Sequence, residues 1–121
     1  MKKTVVFDFD GVIHSYTSGW QGVDVIPDPP VPGIKEAIEA IRQTYRVVVI
    51  SARGTTYGGE KAIKEYLKKH GIEVDAITTK KPPAVCYVDD RALCFDGRSE
   101  DLLEKINNFK PWYKRDGGKI T

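Results

Sequence analysis

Three consecutive apolar residues, Val5-Val6-Phe7, run straight into Asp8 and Asp10, with Gly11 directly behind. A strand with one wet face alternates apolar and polar residues. A run without alternation belongs to a sheet covered on both sides, the usual condition of parallel strands. Residues 46 to 50, RVVVI, repeat the pattern with β-branched side chains and end at Ser51-Ala52-Arg53-Gly54. Both runs therefore predict buried parallel strands with polar residues at their carboxyl ends, where open sheets of this kind gather ligands.

The segments between them take helical spacing. Residues 33 to 44 place Ile34, Ala37, Ile38 and Ile41 on one face, and residues 59 to 70 do the same with Ala62, Ile63, Tyr66 and Leu67. Gly71 then suits a left-handed helix cap. Residues 72 to 77, 84 to 88 and 92 to 95 read as further strands, and Ser99 opens a last helix carrying Leu102, Leu103, Ile106 and Phe109. Residues 14 to 32 hold too many glycines and prolines for a regular helix and form a flap. Strand and helix alternation predicts an α/β fold: a three-layer, Rossmann-like open parallel sheet of about five strands with helices on both faces. At 121 residues this is one domain, 1–121, with a C-terminal tail from 110 to 121.

Charge excludes little, but it excludes a global field. With 19 basic and 17 acidic side chains the net charge is +2, so neither a nucleic-acid nor a membrane partner follows from composition. The apolar run behind Lys2 and Lys3 is too short for a signal peptide, and no stretch nears the ~20 apolar residues of a membrane span. The expectation is a cytoplasmic protein with no membrane partner. Cys86 and Cys94 have apolar neighbours and no metal-binding spacing, so both are expected as buried free thiols.

Four polar clusters follow strands in order: Asp8/Asp10, Ser51, Lys80/Lys81 and Asp89/Asp90. Right-handed crossovers would bring them to one edge of the sheet. Carboxylates crowded together repel unless a cation lies between them, and the hard oxygen ligands of Mg²⁺ match such a set. One Asp-x-Asp pair alone marks a surface turn more often than a site. The order of four is more specific.

These motifs, DFDGV, VVVISAR, TTKKP and YVDD, resemble the haloacid dehalogenase-like (HAD) phosphohydrolase superfamily over residues 4 to about 106. The resemblance implies a Mg²⁺-dependent phosphatase in which Asp8 is the nucleophile. A carboxylate with a reference pKa of about 3.9 is already ionised at neutral pH and needs no base to activate it. Asp10 would protonate the departing oxygen and later take a proton from water, a role that wants a raised pKa, and its backbone carbonyl would bind metal. Asp90 would coordinate the cation directly. Asp89 would act through water, orient its neighbour, or simply pair with Arg91. Ser51 would donate to a phosphoryl oxygen, although a serine there also serves as a turn or helix cap. Lys81, which precedes a proline as the family lysine does, would offset phosphoryl charge, with Lys80 as the alternative. Val12 departs from the threonine common after Asp-x-Asp-Gly.

Neither gap between motifs holds a cap domain, so the resemblance implies an exposed site and a large or exposed phosphorylated substrate. Ser51-Ala52-Arg53 and Asp89-Asp90-Arg91 resemble segments of polynucleotide kinase-type phosphatase domains, which points to a nucleotide or a nucleic-acid end, with Arg53 as a fork for phosphate. Tyr16 and Trp20, or Trp112, Tyr113, Lys114 and Arg115 in the tail, can stack on a base or pack flap and tail onto the domain. His14 reads as a polar flap residue, since nothing near it has zinc spacing. A phosphotransferase of the same family, a non-catalytic phosphate-binding module and a receiver domain phosphorylated on aspartate remain open. Oligomeric state is not legible.

Overall fold

The structure is a computed structural model that describes residues 1–114. Its sheet has four parallel strands in the order β3-β2-β1-β4: β1 Thr4–Asp8, β2 Arg46–Ile50, β3 Ala76–Thr78 and β4 Cys86–Val88. Asp8 lies level with Ile50, Ile50 with Thr78, and Phe7 with Val88. Because all strands run the same way, the residues after each of them meet at one edge.

Alternate residues of a strand face opposite sides. Val5, Phe7, Val47 and Val49 join one core with Ile38 of α1 (Ile34–Arg42) and Ile63, Tyr66 and Leu67 of α2 (Tyr57–Lys69). Val6 and Val48, facing the other way, are buried as well. Both faces of the central strands are thus covered, as the unbroken apolar runs required. α1 and α2 serve the same face, whereas α3 (Leu102–Asn107) contributes no buried residue.

Capping explains where α2 lies. The Thr56 hydroxyl accepts the Gly59 N–H at 3.0 Å, so the helix begins two residues before its apolar pattern. At the other end Gly71, at φ 68°, donates to Lys68 O, and Ile72 donates to Leu67 O. That is a Schellman ending, with Ile72 and Leu67 both buried. Ile72 therefore belongs to the cap. The expected strand 72–77 is shortened to Ala76–Thr78, and Asp75 joins the ladder by its side chain, taking the Val47 N–H at 2.8 Å.

Two expectations fail. The sheet has four strands, not five, because residues 92–95 are squeezed between turns. Asp89 Oδ1 takes the Arg91 N–H on one side, and Asp96 Oδ1 takes the Arg98 N–H beside Gly97, at φ 89°, on the other. Four residues between two such turns find no partner strand. The cysteines are exposed, not buried. Cys86 lies on edge strand β4, and Cys94 falls in the unpaired segment. The last helix is also shorter than its pattern, with Leu103 70% and Ile106 56% exposed. Among the described residues no helix is long and apolar enough to cross a membrane.

Candidate active site

Asp8 ends β1, and the chain behind it turns within six residues. Phe9 O accepts the N–H groups of Ile13 and His14 at 2.9 and 3.0 Å, and Gly11 N–H donates to His14 O at 2.8 Å. Gly11 takes φ 86°, which a side chain disfavours, and a Cβ there would overlap the Asp90 carboxylate. The turn thus lets the end of β4 approach β1. Asp8, Asp89 and Asp90 each place a carboxylate oxygen within 4.8 Å of the others.

Burial and a hydrogen bond to Asp90, with the charges of Asp89 and Asp90 behind them, push the Asp8 carboxyl up to about 8. Acidic groups this close hold a proton between them unless a cation takes its place. Three hard oxygen donors fit a divalent cation of the magnesium kind, and Asp8, Asp89 and Asp90 are the residues that would hold it. The Asp10 side chain is outside this group.

Asp10 instead sits in a polar clamp. Its Oδ1 faces His14 Nδ1 at 2.8 Å and Arg53 Nη2 at 3.1 Å, and its Oδ2 accepts from Arg53 Nε at 2.8 Å. The Asp28 N–H donates to His14 Nε2 at 3.1 Å, which fixes the imidazole with its proton on Nδ1, facing Asp10. Burial raises the Asp10 carboxyl, but the hydrogen bonds from His14 and Arg53 outweigh it and leave Asp10 below the ordinary carboxylate value. The role implied by resemblance wanted the opposite direction; in this structure the raised carboxyl is Asp8.

Arg53, 1% exposed, is a staple more than a free fork. Its Nη1 donates to the Gly22 and Val23 carbonyls at 2.7 and 2.9 Å, and Trp20 lies over the guanidinium at 4.5 Å. The flap is thereby tied to Asp10. Tyr66 adds a second tie through its hydroxyl, which donates to Asp28 O at 2.9 Å. Ser51 is buried at the end of β2, and its Oγ accepts the Arg53 N–H as cap of the 3₁₀ turn Ala52–Thr55. No hydrogen bond among the described residues takes its hydroxyl proton.

A cavity of about 340 Å³ is lined by Asp8, Asp10, Ser51 and Asp90 together with Tyr16, Trp20, Arg91 and Tyr113. Ala52 lines it too. Lys81 does not: its ammonium packs 4.6 Å over the Tyr87 ring, and Lys80 is likewise outside the lining. Trp112 Nε1 donates to Gly11 O at 2.6 Å, and the Tyr113 hydroxyl donates to Asp90 Oδ2 at 2.7 Å. Tyr16, whose φ is 63°, meets Tyr113 edge to face at 5.7 Å. Trp112 and Tyr113 thus pack on the site, Trp20 stays 57% exposed, and Arg115 lies outside the described residues.

Sequence reasoning missed His14 and Tyr113 as supports. His14 stands four residues after Asp10 across a glycine turn, a signal that was present; nothing local tied Tyr113 to Asp90.

No protein-family model matches the chain, and no curated protein matches it. Among solved structures it is similar to a chain of the Pnkp1/Rnl/Hen1 complex, with a TM-score of 0.54 at 16% identity, over 98% of this chain and 37% of that one. The chain spans well under half the length of this neighbour. The likeness is one of fold.

Proposed function

We propose that the protein is a phosphomonoester hydrolase of the HAD kind, dependent on Mg²⁺ and working through a phosphoaspartate on Asp8. The observation that carries this reading is the meeting of Asp8, Asp89 and Asp90 beside a separately clamped Asp10, at the carboxyl edge of a parallel sheet. The fold neighbour in the Pnkp1/Rnl/Hen1 complex supports the architecture.

Asp8 attacks phosphorus, the ester P–O bond breaks, and the phosphoryl group passes to the Asp8 carboxylate. Water then attacks that phosphorus, releasing phosphate and restoring Asp8. Asp10 takes the proton of this water and hands it to the next departing oxygen; its lowered carboxyl keeps it ionised for the first of these acts and works against holding the proton for the second. Ser51, in the lining of the cavity, donates to a phosphoryl oxygen. When bound at the three aspartates, a divalent cation supplies charge neutralisation for carboxylate and phosphoryl oxygens alike.

The cavity's lining includes exposed side chains, Trp20 and Arg91, which favours a phosphate at the end of a larger molecule. The exposed ring of Trp20 offers a stacking surface, so a nucleotide or nucleic-acid end is the substrate class we favour. Phosphate release from an aryl phosphate, with and without Mg²⁺, tests the reaction. Asp8→Asn should abolish it; metal-dependent turnover by that variant would remove Asp8 from its role. An added alcohol acceptor separates hydrolysis from transfer.

A further inference from the structure

Arg53 and Arg91 are the cations among the described residues lining the cavity, and their situations are opposite. Arg53 is buried, with Nε and Nη2 on Asp10 and Nη1 turned to flap carbonyls. Arg91 has a side chain 58% exposed. Its Nε donates to the Tyr113 hydroxyl at 3.1 Å and lies 3.9 Å from Asp90 Oδ2. No hydrogen bond within the described residues engages its terminal nitrogens. The guanidinium is planar, so fixing Nε also aims the terminal N–H groups.

We propose that Arg91 is the anion anchor of this cavity, the residue whose terminal N–H groups receive the non-bridging oxygens of a bound phosphoryl group. The inference rests on the phosphatase reading for its ligand. It moves a role expected of Lys81 or Arg53 to the arginine of the Asp89-Asp90-Arg91 segment. Lys81 stands over Tyr87, outside the lining, and Arg53 already has carboxylate and carbonyl partners. Tyr113 is the positioning residue: one hydroxyl joins Asp90 to Arg91, so the acidic and basic halves of the site share a brace. An arginine aimed in advance loses less freedom on binding than a mobile lysine.

The test is orthophosphate titrated against the intact protein in Mg²⁺, read by tryptophan fluorescence. Loss of a charge-assisted pair predicts phosphate binding weaker by roughly ten- to a hundredfold in Arg91→Ala. Arg91→Gln, which keeps much of the stem, should show the same loss, and Arg91→Lys should recover part of it. Mn²⁺ affinity, measured separately, should stay at or above the wild-type value, since only a positive neighbour of Asp90 is gone. Tyr113→Phe should weaken phosphate binding less than Arg91→Ala and restore nothing on addition of Mn²⁺. Wild-type phosphate affinity in a folded Arg91→Ala or Arg91→Gln would overturn the assignment while leaving the chemistry of Asp8 untouched. So would a wild-type protein that takes up no phosphate at saturating Mg²⁺. Phosphate binding lost with Arg91 in a protein without turnover would support the anchor and count against the hydrolase.

Discussion

Gly11 is where a single atom decides the site. A methyl group there meets the Asp90 carboxylate and would have to live at φ 86°. Gly11→Ala should therefore lower stability by at least about 1 kcal/mol and weaken Mn²⁺ binding together, as urea melts and metal titration would register. Asp8 gives a pH prediction. Its carboxyl is raised from 3.8 to about 8 in the folded chain, so its protonated form stabilises the fold. That contribution is complete below pH 3.8 and is lost as pH rises through about 8. In EDTA the urea midpoint should fall across this window, and Asp8→Asn should flatten the fall. The aspartates were legible because Asp-x-Asp and Asp-Asp follow apolar runs. The clamp on Asp10 was not, since Arg53 reads as a free cation until the flap carbonyls around it are seen.

Elements were legible where their signals were local. β2 falls on the expected residues, and α1 lies inside its apolar pattern, anchored by Ile38 at the centre of the core. Ile38→Ala should cost about 2–5 kcal/mol in chemical denaturation, the usual range for emptying a buried site. Thr56→Ala should cost about 1 kcal/mol, because it removes the cap of α2 and touches no core residue. The edge of the sheet was harder to read. Ala92 to Phe95 has the composition of a strand, but turns on both sides leave it four residues and no ladder. Local composition carries no information about whether a neighbour is within reach.

For the molecule as a whole, the absence of a fifth strand among the described residues leaves β4 as an outer edge and both cysteines exposed. Ellman's reagent should titrate Cys86 and Cys94 in the folded protein without denaturant; protection of either would restore the buried arrangement that the sequence implied. The parallel sheet was legible from its apolar runs, whereas the packing of Trp112 and Tyr113 onto the site depends on contacts across nearly the full chain. Trp112 and Gly11 are 101 positions apart, yet the indole grips the carbonyl of the turn behind Asp8. A ribosome makes Asp8 early and this brace late. During synthesis the acidic pocket is therefore incomplete, and the nascent polypeptide should gain its arrangement of Asp8 and Asp90 only after the segment bearing Trp112 and Tyr113 has emerged.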